Sequence, residues 1–191
     1  MEIKKVTAMY LSCTGTTKKI VEYVAKNVAE RLSAEYEVFD FSLPAARKPT
    51  LLYSEDELVI CGTPVYAGRV PNVLLKYLNT VKGNGAIGIP VVLFGNRSYD
   101  DALMAAGAFV GEHSFSRVLG AGRPDAADFA KADELAALIA DRIANKESLE
   151  AGLPALAAVP GASPQDKYYT PRERHGKAID IRKVKPKTSD A

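Results

Sequence analysis

Apolar runs and helical patterns alternate along the first 146 residues of the chain. Short apolar runs bounded by turn residues predict strands, whereas apolar residues three or four positions apart predict helices. The predicted strands are residues 5–11, 36–41, 58–62, 91–94 and 114–119. The predicted helices are residues 17–32, 71–81, 99–110 and 126–146. Residues 43–57 contain Pro44 and Pro49 and predict no clear helix.

Strands that alternate with helices predict an α/β domain whose parallel sheet is covered on both faces. In such a sheet, ligands bind beyond the carboxyl ends of the strands, near the point where the strand order reverses. The loops that follow the strands should therefore carry the chemistry of this chain.

The loop after the first predicted strand is rich in hydroxyl groups. Residues 10–19 read Tyr-Leu-Ser-Cys-Thr-Gly-Thr-Thr-Lys-Lys, and a helical pattern begins near Thr16. The first N–H groups of a helix and its dipole attract an anion, and Gly15 allows the backbone to come close to it. The segment therefore predicts a phosphate site, although an ordinary strand–turn–helix junction would have a similar composition.

Three other phosphate-loop chemistries fit this segment poorly. A Walker A loop requires a glycine that is missing here, and a dinucleotide fingerprint requires three glycines where only Gly15 is present. A phosphatase with Cys13 as nucleophile would need an arginine to close the loop, but position 19 is lysine, which cannot make a bidentate fork. The remaining interpretation is a phosphomonoester that is held rather than cleaved, and the phosphate of FMN is the obvious candidate.

Two later loops add groups that could hold a flat ligand. The loop after the third strand contains Tyr66 between Thr63-Pro-Val and Ala-Gly68, and this ring could stack on a ligand or pack on its own loop. The loop after the fourth strand reads Gly95-Asn-Arg-Ser-Tyr-Asp-Asp101, in which Asp100 or Asp101 could also cap the next helix. Residues 120–125 are interpreted as a turn.

On these three loops the sequence resembles the flavodoxin family. Ser12–Thr17, Thr63–Gly68 and Gly95–Tyr99 are similar to the family's phosphate loop and its two ring loops. The resemblance is stronger still to the flavodoxin portion of bacterial and archaeal proteins in which a flavodoxin precedes a ferredoxin module. It implies a flavodoxin-like three-layer sandwich with a five-stranded parallel sheet in the order 2-1-3-4-5, and FMN as the cofactor.

The resemblance also implies the residues that bind the cofactor. They are Ser12, Thr14, Gly15, Thr16, Thr17, Thr63, Pro64, Val65, Tyr66, Ala67, Gly68, Gly95, Asn96, Arg97, Tyr99 and Asp101. No catalytic residue and no metal ligand is predicted, because His113 and His175 lack the spacing of a metal site.

Composition limits the classes of partner. The chain has 191 residues, 47% hydrophobic residues, 25% charged residues and a net charge of +2, which favours a globular protein and argues for neither nucleic acid nor a membrane surface. Two cysteines suggest no disulfide framework, and no signal peptide is evident, so a cytoplasmic location is expected. Flavodoxins are typically strongly acidic, and this chain departs from that pattern.

The resemblance covers residues 1–147, which we interpret as the FMN-binding domain. Residues 148–191 contain five prolines, with basic residues concentrated after position 166, and predict an extended arm or linker. Tyr168, Tyr169, Ile179 and Ile181 indicate that part of this arm packs on the domain or on a second copy, as in a homodimer.

Two functions follow from the resemblance. The favoured one is electron transfer between redox partners, with a ferredoxin-type iron–sulfur module among the candidates. The other is an FMN- and NAD(P)H-dependent reductase of quinones or similar small acceptors, since one fold serves both. A second nucleotide fingerprint is missing from the sequence, which favours the carrier.

Overall fold

The computed structural model describes residues 2–66, 69–71, 74–95, 107–113, 116, 118–145, 175 and 177. Within them, strands and helices alternate along the chain. In chain order the elements are β1 (Lys5–Tyr10), α1 (Thr16–Leu32), β2 (Glu35–Asp40), β3 (Glu57–Pro64), α2 (Leu75–Leu78), β4 (Ile87–Phe94), β5 (Gly107–Val110) and α3 (Ala126–Ala144). A short 3-10 helix, Pro44–Arg47, lies between β2 and β3.

The five strands form one parallel sheet in the order β2-β1-β3-β4-β5. This confirms the predicted α/β class and strand order. From β1 the chain moves to one side of the sheet, and from β3 it moves to the other. The strand order therefore reverses between β1 and β3, where Tyr10 and Gly62 are paired in register. Ligand sites of parallel sheets favour such a reversal point.

One face of the sheet is covered by α1 and α3. Helix α1 places its apolar side against the buried strand residues Val6, Ala8 and Tyr10, and α3 packs on α1 and near β5. The helices also contact each other, because the rings of Tyr23 and Phe129 lie 4.8 Å apart between centroids. Each fully buried aliphatic side chain of this layer contributes roughly 1.5–3 kcal/mol to the free energy of folding, relative to an exposed side chain.

A glycine lets α1 lie directly on the sheet. A Cβ atom at Gly62 on β3 would lie 2.1 Å from Cγ2 of Val21 and 3.1 Å from Cγ2 of Thr17. Any side chain at this position would therefore force the helix away. The contact places the N-terminus of α1 beside the carboxyl end of β3.

A smaller core covers the opposite face near β1 and β3. It consists of the buried residues Met9, Leu11, Phe41, Val59, Leu74 and Tyr77. Helix α2 is only four residues long, shorter than the predicted helix at 71–81. After this helix, the N–H of Lys82 donates to the carbonyl oxygen of Leu51, at 2.9 Å. The chain after α2 therefore pairs with the segment that precedes β3.

The predicted fifth strand at 114–119 is wrong. The strand that pairs with β4 is Gly107–Val110, with Val91 opposite Gly107 and Phe94 opposite Val110. Within 114–119 the structure describes residues 116, 118 and 119, none of which lies in a strand, and Val118 is 83% exposed. The predicted helix at 99–110 is wrong over its last four residues, and residues 99–106 lie outside the described part of the chain.

The chain divides into two compact units, Met1–Gly161 and Ala162–Ala191. The predicted boundary at residue 147 lies outside the described residues and stays a prediction, as does a homodimer formed through the arm. Among the described helices, none is both long enough and apolar enough to cross a membrane.

Candidate functional site

The loop between β1 and α1 presents backbone donors at the helix N-terminus. Gly15 has a φ of 85° and precedes the first helical residue, Thr16. The helical hydrogen bonds start where Lys19 N–H donates to Gly15 O, at 3.1 Å. Within the described residues, the N–H groups of Thr16 and Thr17 therefore have no intrahelical partner. The first turn of α1 also carries no acidic residue that would compete with an anion.

The hydroxyl groups of this loop occupy three different positions. The Oγ1 atoms of Thr14 and Thr16 lie 3.2 Å apart. Ser12 Oγ accepts the N–H of Lys18, at 3.1 Å, and so caps the third N–H of the helix. Thr17 is 2% exposed, and its methyl group lies against Gly62. Thr14 and Thr16 therefore form the hydroxyl pair of the site, while Ser12 and Thr17 also fix the position of the helix.

A second serine, which follows β2, forms hydrogen bonds with the loop between β1 and α1, the predicted phosphate loop. Ser12 N–H donates to Ser42 Oγ at 2.8 Å, and Ser42 Oγ donates to Ser12 O at 3.4 Å. The Arg47 guanidinium donates to the carbonyls of Phe41 and Ser42, at 2.8 and 2.6 Å. Ser42 and Arg47 were not predicted as site residues. Their only sequence signal is that Ser42 follows a strand which ends at the same edge of the sheet.

The loop after β3 forms a tight turn that carries Tyr66. Tyr66 N–H donates to Arg69 O at 2.9 Å, and Arg69 N–H donates to Tyr66 O at 3.2 Å. The Tyr66 side chain remains 41% exposed. Partial burial and a hydrogen bond with the Cys13 thiol raise the pKa of Tyr66 to about 12. The Cys13 thiol in the loop between β1 and α1 therefore lies close to the Tyr66 hydroxyl in the loop after β3. Stacking of the Tyr66 ring on a ligand stays a prediction.

The remaining predicted residues after β3 lie just below this turn. Thr63 and Pro64 end the strand, and Thr63 is 5% exposed. Val65 N–H donates to Leu93 O on β4, at 2.7 Å, so the loop continues along the neighbouring strand. Ala67 and Gly68 lie outside the described residues.

The loop after β4 is described only at its start. Gly95 packs against the backbone of Glu112 and His113, which follow β5. Sequence reasoning missed these two residues because it placed the fifth strand too late in the chain. Four further predicted site residues lie outside the described part of the chain, namely Asn96, Arg97, Tyr99 and Asp101.

The loops after β1, β3, β4 and β5 thus meet at one edge of the sheet. Cys13 lies near Tyr66 between the first two loops, and Gly95 packs on the backbone of Glu112 and His113 between the last two. Gly111, after β5, lies against Thr16 and closes the group. The arrangement offers an anion site at the helix N-terminus, with an exposed aromatic ring next to it.

Neither a protein-family model nor a curated protein matches the sequence. Among solved structures, the chain is similar to a flavodoxin from the domain Archaea at 17% identity and a TM-score of 0.52, covering 73% of this chain and 99% of that one. It is also similar to the rubredoxin oxygen:oxidoreductase of Desulfovibrio gigas at 17% identity and a TM-score of 0.53, covering 78% of this chain and 38% of that one.

A third similar structure is the flavodiiron protein of Giardia intestinalis, at 15% identity and a TM-score of 0.50, with coverage of 76% of this chain and 38% of that one. The chain spans well under half of the length of each of these last two proteins. At such low identities the likeness concerns the arrangement of the backbone. The chain has a flavodoxin-like α/β fold.

Proposed function

We propose that this chain is an FMN-binding electron-transfer protein. The observation that carries the proposal is the donor set at the N-terminus of α1. It consists of the N–H groups of Thr16 and Thr17, which have no intrahelical partner, together with the hydroxyl pair of Thr14 and Thr16. These groups suit a phosphate, because they offer hydrogen bonds and partial positive charge without an acidic neighbour.

The residues present also suit the rest of the cofactor. Tyr66 offers a partly exposed aromatic ring next to the phosphate loop. The loop that begins at Gly95 would cover the other side of the ring. FMN, when bound, would supply one- and two-electron redox chemistry. The protein's part would be to anchor the phosphate, orient the ring and limit its contact with water.

The partners are proposed to be other redox proteins, with a ferredoxin-type iron–sulfur module among them. Two observations support this proposal. The sequence resembles the flavodoxin part of flavodoxin–ferredoxin proteins, and two of the similar structures are larger proteins, an oxidoreductase and a flavodiiron protein, of which this fold is one portion.

The first test is a titration of the purified full-length chain with FMN and with riboflavin, followed by flavin fluorescence. We expect FMN to bind with a dissociation constant of about 1 μM or lower, and riboflavin to bind more weakly because it lacks the phosphate. Anaerobic reduction by dithionite, NADH and NADPH then separates the two functions. A carrier should ignore both nucleotides, whereas rapid reduction by either one would make the protein a reductase.

A pair of threonine variants tests the site. Thr16→Val removes one phosphate donor and should weaken FMN about tenfold or more, since a hydrogen bond to a charged group is worth roughly 1.5–3 kcal/mol. Thr7→Val is the matched control: Thr7 lies inside β1 and is buried, and its hydroxyl has no partner in the described structure. Equal FMN affinities of the two variants would contradict the proposed site.

A further inference from the structure

The segment that follows β5 contacts the proposed phosphate site. We name residues 111–123 the β5 loop, of which residues 111–113, 116 and 118–123 are described. Gly111 is its first residue and is buried. A Cβ atom at Gly111 would lie 3.4 Å from Oγ1 and 3.6 Å from Cβ of Thr16. Gly111 therefore lies next to the side chain that carries the proposed phosphate-binding hydroxyl, with room for about one methyl group between them.

The same loop contacts the start of the proposed ring loop. A Cβ atom at Gly95 would lie 2.8 Å from Cα of His113 and 3.0 Å from the carbonyl oxygen of Glu112. Both atoms belong to the backbone, which cannot move aside as a side chain can. Gly95 thus packs flat on the Glu112–His113 peptide, and the β5 loop touches both halves of the proposed cofactor site.

Side chains within the β5 loop determine its shape. Ser116 N–H donates to His113 Nδ1 at 3.0 Å, and Gly122 N–H donates to Glu112 Oε1 at 3.1 Å. The backbone N–H of His113 donates to Leu119 O, at 3.2 Å. Since Nδ1 accepts a hydrogen bond, a neutral His113 carries its proton on Nε2. The described residues of the loop are therefore held together by hydrogen bonds among their own polar groups.

Gly120 supports Gly111 from the other side. It has a φ of +65°, and a Cβ atom there would lie 2.4 Å from the carbonyl oxygen of Gly111 and 3.5 Å from Cα of Glu112. A side chain at position 120 would displace Gly111, which lies against Thr16. Gly122 in the same loop also has a positive φ, of +76°, but a Cβ atom there would contact nothing within 4 Å.

We propose that the β5 loop supports the phosphate site by holding Gly111 next to Thr16. We further propose that His113 is the positioning residue that maintains the conformation of this loop. The inference rests on the proposed function, because the phosphate it concerns is that of FMN. Thr16 would donate a hydrogen bond to the phosphate group, which riboflavin lacks. A change that displaces Gly111, on the phosphate side of the loop, therefore lowers FMN affinity more than riboflavin affinity. General destabilisation lowers both alike.

The first test compares Gly120→Ala with Gly122→Ala in the full-length chain. Both variants place an alanine at a left-handed position and carry the same kind of backbone strain. Only the first also collides with Gly111. We expect Gly120→Ala to weaken FMN about tenfold and riboflavin by no more than about twofold, and Gly122→Ala to change both by about twofold or less. Circular dichroism melting of the flavin-free proteins measures stability separately.

The second test compares two variants of the positioning residue. His113→Asn keeps an acceptor atom at the place of Nδ1, whereas His113→Phe keeps an aromatic ring without an acceptor. We expect His113→Phe to lower the ratio of FMN to riboflavin affinity at least about threefold, and His113→Asn to restore most of it.

Two results would overturn the inference. If the wild type prefers FMN and Gly120→Ala preserves that preference, the β5 loop is not part of the phosphate site and the proposed function stands. If the wild type binds neither flavin, the proposed function fails and this inference fails with it.

Discussion

The two thiols of this chain lie in different surroundings. Cys13 is exposed in the phosphate loop. Cys61 lies on β3 and packs against the smaller core, and desolvation of its sulfur raises the pKa of the thiol to about 11. Since the thiolate is the reactive form, Cys61 should be almost inert near neutral pH.

This difference gives a test of where the ligand binds. At pH 8, iodoacetamide should modify Cys13 and leave Cys61 unmodified, as peptide mass spectrometry would report. FMN at about ten times its dissociation constant should slow the modification of Cys13 roughly tenfold, because the bound fraction of the protein is protected. Cys13→Ser should abolish rapid labelling. Labelling of Cys61 at a similar rate, or no effect of FMN on Cys13, would contradict the prediction.

How far single residues could be predicted depends on what places them. Thr14, Gly15 and Thr16 follow a strand and precede a helix, and this local order already predicts an anion site. Ser42 and His113 carry no such local signal. They reach the site only because separate strands end at the same edge of the sheet, and this depends on the tertiary structure.

The packing of α1 on β3 determines where the phosphate loop lies. The helix and the strand meet where Val21 packs on Gly62. A Cβ atom added at Gly62 would lie only 2.1 Å from Cγ2 of Val21. Gly62→Ala would force the helix outward, and overpacking of this kind costs about 1–3 kcal/mol. The phosphate loop would shift with the first turn of the helix, so FMN binding should weaken as well.

A double-mutant cycle tests this contact. Val21→Ala alone should cost about 2 kcal/mol because it leaves a cavity. The double variant should cost at least about 1 kcal/mol less than the sum of the single changes, since Val21→Ala removes the colliding atom. Free energies of unfolding from urea denaturation provide the numbers. Gly88→Ala, where a Cβ atom meets nothing within 4 Å, is the control, and additive costs would exclude the proposed collision.

The fifth strand shows why the sequence pattern alone was not enough. The predicted strand at 114–119 ends on the apolar pair Val118 and Leu119, but both residues are exposed. Gly107–Val110 is a four-residue strand that is preceded by alanines and begins with glycine, and such a segment has little strand signal of its own. Pairing with β4 makes it a strand. The elements α1, β1 and β2 were predicted to within one residue at each end because their own patterns determine them. Strands β3 and β4 are longer than the predicted 58–62 and 91–94.

The charge of the chain sets it apart from the acidic proteins that it resembles. The formal net charge is +2, and Lys18 and Lys19 lie in the first turns of α1, next to the proposed phosphate site. Positive surroundings favour the negative charge that a flavin gains on full reduction. We therefore expect the second electron to enter bound FMN at a less negative potential than in strongly acidic flavodoxins.

A charge reversal near the site tests this expectation. Lys19→Glu should lower the potential of the second electron by an amount on the order of tens of millivolts, because the change of two charges acts through partly aqueous surroundings. Lys26→Glu makes the same change on the same helix, about 10 Å farther along its axis, and should have a smaller effect. Potentiometric titration at low salt measures both shifts. In about 1 M salt, where the screening length falls to about 3 Å, the two variants should approach the wild type. Equal shifts of the two variants at low salt would show that the potential responds to total charge, and would place the flavin away from the N-terminus of α1.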